Sequence, residues 1–92
     1  MISAAIPCYN GARWIAETVA ALQRQTRPPD ELLVIDDGST DGSGALAAGV
    51  GARVITHAVN RGLAAARNTA LVAASGDILV FVDSDAYAAP GM

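Results

Sequence analysis

Four short apolar runs punctuate the chain: Ile2–Ile6, Leu32–Ile35, Ala52–Thr56 and Ile78–Val82. Leu32-Leu33-Val34-Ile35 is continuous rather than alternating, as expected of a strand covered on both faces in a parallel sheet. The stretches between the runs have helical spacing or turn chemistry. Over Ala12 to Gln25, Ile15, Val19 and Leu22 recur at i, i+4 and i+7, which gives one apolar face, and Glu17, Gln23 and Arg24 fall outside it. Pro28-Pro29 ends that helix. Ser43 to Ala48 reads as a short helix with Asp41 or Thr40 as its cap, broken by Gly49 and Gly51. Gly62 to Ala74 reads as an Ala-rich helix closed by Gly76. Strands are predicted over Ile2–Ile6, Glu31–Ile35, Ala52–Thr56 and Asp77–Val82. Pro7, which has no amide to donate to a ladder, is expected to stop the first.

Strand, helix, strand repeated along the chain implies an α/β fold, a parallel sheet with alternating helices on both faces. In such sheets ligands sit at the carboxyl ends of the strands, near the point where strand order reverses. The polar clusters of this chain follow the strands at that edge: Tyr9-Asn10, Asp36-Asp37, Asn60-Arg61-Gly62 and Asp83-Ser84-Asp85. Their common placement is the main pointer to function.

Composition narrows the classes. At 92 residues and 52% apolar content the chain is globular, one domain or part of one. The net charge is −3, and all six basic residues are Arg, with no basic stripe, which argues against a nucleic-acid surface. One cysteine, Cys8, excludes an internal disulfide and reads as a small buried apolar residue. The start of the chain has no signal-peptide pattern, and no apolar stretch is long enough to span a membrane. A cytoplasmic protein, free or peripheral at the inner face of the membrane, is the expectation.

Asp83 and Asp85 follow the most apolar strand and can both reach into a crevice where the strand bends. Their oxygens suit hard cations such as Mg2+ or Mn2+, held jointly with substrate phosphates; the bland alternative is an Asx turn. Asp36 and Asp37 end a buried strand, where like charges need either backbone donors or a ligand donor such as the imide N–H of a base. Asp37 is the better base reader, with Asp36 in support, and Asp41 is the better cap. Gly38 permits a positive φ or close approach of a ligand. Tyr9 offers a flat face for a base, or loop packing in about equal measure. Gly11 helps start a helix, whose N-terminus favours anions, and Gly62 allows close approach of a ligand to the backbone. Arg67 suits a phosphate, or an ion pair with Asp36 or Asp83. His57 lies outside the pattern and reads as a surface residue, and Trp14 as packing.

The segments Ile6-Pro7-Cys8-Tyr9-Asn10, Val34-Ile35-Asp36-Asp37-Gly38-Ser39-Thr40-Asp41, Asn60-Arg61-Gly62, Ala66-Arg67-Asn68, Gly76-Asp77 and Phe81-Val82-Asp83-Ser84-Asp85 resemble, in order and spacing, the N-terminal half of a family-2 glycosyltransferase with the GT-A fold. The resemblance covers essentially the whole chain. It implies a UDP-, GDP- or dTDP-sugar donor, Mn2+ or Mg2+, and inverting transfer to a hydroxyl of a carbohydrate, lipid-linked or protein acceptor. It places Pro7 and Tyr9 along the base with Asn10 beside them, Asp37 on the base with Asp36 beside it, and Asp83 near ribose and metal. It places Asp85 on the metal, and Gly62 and Arg67 flanking the nucleotide. Residues 1–92 are then the donor-binding half of the domain. The acceptor site and catalytic base are expected later than Asp85, so no base is assigned here.

Two other readings compete. A haloacid-dehalogenase-type phosphatase also uses Asp-x-Asp after a strand, but after the first strand, and this chain has no Lys. A non-catalytic nucleotide-binding fragment is the other. A dehydrogenase is weaker still, since no Gly-x-Gly-x-x-Gly follows the first strand.

Overall fold

In a computed structural model, residues 1–82 are described. They form β1 (Ile2–Cys8), α1 (Ile15–Gln23), β2 (Glu31–Asp37), α2 (Ser43–Gly49), β3 (Arg53–His57), α3 (Leu63–Ala73) and β4 (Ile78–Phe81). The four strands pair in parallel in the order β3-β2-β1-β4. The expected α/β parallel sheet is therefore present. Chain progress runs outward from β1 to β3, then crosses back to the far side of β1, so the order reverses between β1 and β4.

Side-chain alternation along the strands sorts the core into two layers. On one face Ile6, Cys8 and Val34 pack with Ile15 and Val19 of α1 and Ala47 of α2. On the other, Ala5, Leu33 and Ile35 pack with Ala66 and Ala70 of α3, backed by Ile55, Leu79 and Phe81. Small alanines let α3 approach closely, at the cost of little buried area per residue. The Cys8 thiol is buried as expected. Burial pushes its pKa up, against the pull of hydrogen bonds from Ser43 and Gly11.

Several boundaries differ from the sequence reading for identifiable reasons. Pro7 does not stop β1; it lies within it, opposite Ile35 of β2. Ala5 turns its carbonyl toward β4, where the Val82 amide meets it at 2.9 Å. Pro7, two residues on, faces the same side, beyond the described ladder with β4, so its missing amide forfeits no bond of that ladder. Strand β2 runs on through Asp36 and Asp37 instead of ending at Ile35, because both stay paired, to Cys8 and to Thr56 and His57. Helix α1 is shorter than the expected Ala12 to Gln25. Its first residues form a turn in which the Trp14 and Ile15 amides donate to the Gly11 carbonyl at 3.0 and 2.9 Å, with no side-chain cap.

Gly76 does not cap α3. That helix ends at Ala73 and is followed by Ala74 in extended conformation. Gly76 instead lies against β1, where an added Cβ would sit 2.5 Å from Ser3 Oγ, and its amide donates to that hydroxyl at 2.9 Å. Ser3 donates in turn to Glu31 at 2.9 Å, and Glu31 also accepts from the Ser75 amide and from Arg53. This network pins the end of α3 to the amino edge of the sheet.

Candidate functional site

The carboxyl edge gathers three loops: Tyr9–Trp14 after β1, Gly38–Gly42 after β2, and Ala58–Gly62 after β3. The first two are stitched by reciprocal bonds. Asn10, held at φ 51°, takes its amide to Ser39 Oγ (2.9 Å) and accepts the Thr40 amide on Oδ1 (2.8 Å). Such left-handed geometry is one that Asn tolerates better than most residues. Asp41 accepts the Ala12 amide on one oxygen (3.0 Å) and the Ser43 amide (3.0 Å) and hydroxyl on the other. Burial works against its charge, but these donors outweigh it and hold the carboxyl below the usual range. Asp41 thus serves the start of α2, although the N-cap residue is Gly42.

The two adjacent carboxylates of β2 point to opposite faces, so their charges do not share one environment. Asp36 lies on the α1–α2 face, almost buried, and accepts the Ser39 amide on Oδ1 at 3.1 Å. Asp37 lies on the α3 face with no exposed surface. Its Oδ1 accepts from His57 Nδ1 (2.7 Å) and the Arg61 amide (2.8 Å). Its Oδ2 accepts from the Gly62 amide (2.9 Å) and Asn60 Nδ2 (3.1 Å). The donors that must offset a buried carboxylate are therefore supplied by the chain itself. In this structure the Asp37 oxygens face His57 and the β3–α3 loop. Gly38 shows the same inward use. It has φ 73°, and a side chain there would collide with the backbone of Val59 and Asn60. The close approach it permits is to the chain's own loop.

His57 is the residue that the sequence reading missed. It is not on the surface; it is buried beside Asp37 and bridges to Thr69 Oγ1 of α3 at 2.7 Å through Nε2. The parallel register sets Asp37 level with His57, both on the α3 face. The signal available in the sequence was that each ends its apolar run two residues after an isoleucine, Ile35 and Ile55.

Of the other expected residues, Pro7 is buried at the end of β1, Tyr9 is 38% exposed at the edge, and Asn10 is exposed beside it. Gly62 has φ 97° and opens α3. Arg67 lies one turn into α3 with its guanidinium 5.7 Å from the centre of the Phe81 ring, a cation–π placement on the α3 face of β4. Asp83 and Asp85 lie outside the described residues. Val82, the residue before them, is held at this edge by its bond to Ala5. Among the described residues no group of three or more His, Cys, Asp or Glu side chains could hold a metal, and no helix is long and apolar enough to cross a membrane. A groove of about 390 Å³ beside β4 is lined by Ile2, Leu22, Pro28, Pro29, Val80 and Val82.

A parallel sheet that reverses order beside β1, with polar loops collected at its carboxyl edge, is the arrangement in which α/β sheets hold ligands. The family model for glycosyl transferase family 2 matches residues 3–92, and the chain belongs to that family. It is 38% identical over 96 residues to the uncharacterized glycosyltransferase EpsJ of Bacillus subtilis, an alignment covering 100% of this chain and 28% of that protein. It is 35% identical over 88 residues to the UDP-Glc:alpha-D-GlcNAc-diphosphoundecaprenol beta-1,3-glucosyltransferase WfgD of Escherichia coli, covering 92% and 35%. Among solved structures, glucosyl-3-phosphoglycerate synthase from Mycobacterium tuberculosis, in complex with Mn2+, UDP and glucosyl-3-phosphoglycerate, superposes with a TM-score of 0.80 at 35% identity, covering 91% of this chain and 33% of that one. The mannosyltransferase PcManGT from Pyrobaculum calidifontis, in complex with GDP-Man and Mn2+, gives 0.82 at 32% identity, covering 91% and 27%. The GT-A fold expected from the sequence is thus the fold observed, and the chain spans about a third of the length of these relatives.

Proposed function

We propose that this chain is the donor-binding part of an inverting, metal-dependent glycosyltransferase that moves a sugar from a nucleoside diphosphate to an acceptor hydroxyl. The observation that supports it most is the placement of β1 beside β4 at the reversal point, so that Pro7–Tyr9 and the residue preceding Asp83 leave the sheet at one edge. Relatives solved with UDP or GDP-Man and with Mn2+ support the same reading.

In this proposal Tyr9 lies along the base, with Pro7 and Asn10 shaping the loop that presents it. Asp36 sits at the base end. Asp37 acts from beneath by holding Asn60 to Gly62, the backbone that flanks the nucleotide, and Arg67 stands one turn further on. Asp83 and Asp85 hold Mn2+ or Mg2+. The cation would neutralise charge that develops on the departing diphosphate. The acceptor hydroxyl attacks the anomeric carbon from the opposite face while a carboxylate base removes its proton. That base belongs to the acceptor-binding part of the parent enzyme. The acceptor is a carbohydrate, lipid-linked or protein hydroxyl in cell-wall or polysaccharide synthesis, reached from the cytoplasm or the inner membrane face.

Titration calorimetry with UDP and GDP, with and without Mn2+, tests this. Nucleotide binding strengthened by Mn2+ is expected, and Asp85→Ala should remove the metal dependence while the fold is kept. Absence of heat with every nucleotide, on chain shown folded by circular dichroism, would overturn the proposal.

A further inference from the structure

We propose that His57 is a positioning residue of this site, locking the Asp37 carboxylate and through it the loop that opens α3. For its bearing on ligand affinity the inference rests on the nucleotide-binding reading above; for its bearing on the loop it stands on the geometry alone.

One ring joins three elements. His57 ends β3, its Nδ1 lies 2.7 Å from Asp37 Oδ1 at the end of β2, and its Nε2 lies 2.7 Å from Thr69 Oγ1 in α3. An ionised carboxylate only accepts, so Nδ1 carries the proton. In the neutral ring Nε2 then accepts the Thr69 hydroxyl proton, and the orientation of the imidazole is fixed from both sides. The Arg61 and Gly62 amides and the Asn60 side-chain amide all end on the carboxylate that this ring holds. With Asp37 wholly buried and His57 7% exposed, water does not readily replace the imidazole donor. Removing that donor takes one hydrogen bond from Oδ1 and loosens the carboxylate that holds the loop. The three groups that it anchors are the last before α3 begins, where the backbone at Gly62 adopts φ 97°.

Two substitutions separate this role from simple packing. In His57→Asn the side-chain amide nitrogen occupies the place of Nδ1 and keeps the donor to Asp37. In His57→Gln it reaches the place of Nε2, keeping contact with Thr69 while losing Asp37. Both remove ring packing and lower urea stability. Amide hydrogen exchange at Arg61 and Gly62, followed by NMR, is expected to speed up about tenfold or more in His57→Gln and to stay within about threefold in His57→Asn. Affinity for UDP with Mn2+ is expected to follow the same split, about tenfold weaker for Gln and near the parent value for Asn. Equal effects of the two variants on exchange, or unchanged exchange in His57→Gln, would overturn the inference. Failure of the parent chain to bind UDP at all would overturn the nucleotide-binding reading instead, and the exchange data would still decide the role of His57.

Discussion

Replacing Asp37 with Asn changes one atom and no volume, yet the structure makes it costly. Each carboxylate oxygen takes two donors: His57 Nδ1 and the Arg61 amide on Oδ1, the Gly62 amide and Asn60 Nδ2 on Oδ2. Whichever oxygen becomes an NH2 group, a backbone amide, Arg61 or Gly62, then faces a donor, while the side-chain partner, His57 or Asn60, must switch tautomer or turn its amide over to accept. Hydrogen bonds to a charged partner are worth about 1.5–3 kcal/mol each, and the exposed loop can turn one of the two toward water. The expected loss is about 2–4 kcal/mol, set against a total of about 5–14 kcal/mol for a domain of this size. Asp36→Asn is the internal control. Asp36 accepts the Ser39 amide on Oδ1, and an Asn can keep its oxygen there, so the expected loss is below about 1 kcal/mol. Urea unfolding followed by Trp14 fluorescence and by far-ultraviolet circular dichroism measures both. If Asp37→Asn cost less than Asp36→Asn, the picture of a carboxylate consumed by internal donors would be refuted.

Two further outcomes follow from other parts of the fold. Gly38→Ala is expected to cost more than about 2 kcal/mol, since it combines a positive φ with a collision against the Val59–Asn60 backbone, and a thermal melt checks it. The Glu31 carboxyl is held below its ordinary range by the Ser75 amide first, then by Ser3 and Arg53. Its contribution is therefore present above the unfolded glutamate pKa and lost as pH falls through the lowered folded value. Glu31→Gln should flatten the stability profile on the acid side, and an unchanged profile in urea melts across that range would contradict this.

Much of the fold was legible because the chain alternates short apolar runs with short spacers. Four such runs separated by helix-length spacers admit few topologies, and these place the polar clusters at the carboxyl edge. The candidate site was legible at the level of which loops meet, since Tyr9, Asn60 and Gly62 follow strands and Asp36 lies near the end of one. What the sequence hid was direction. Adjacent Asp36 and Asp37 look like a pair, but a strand sends them to opposite faces, and the α3 face had its own donors waiting. His57 looked solitary because its partners are 20 and 12 residues away and meet only through strand register and helix packing. Pro7 looked like a stop because its edge neighbour β4 arrives more than 70 residues later. Gly76 looked like a helix cap, whereas its lack of a side chain is required by Ser3 across the sheet.

The most direct test of the proposed site is an NMR titration of the isotopically labelled chain with UDP, diamagnetic first with Mg2+ and then with trace Mn2+. Amides of residues 8–11, 36–39 and 60–62 are expected to shift, and Mn2+ to broaden signals around Cys8 and Tyr9 while sparing Ser75 and Gly76 at the amino edge. Shifts and broadening centred instead on the groove near Leu22 and Val80, or spread evenly over the chain, would contradict a nucleotide site at the carboxyl edge.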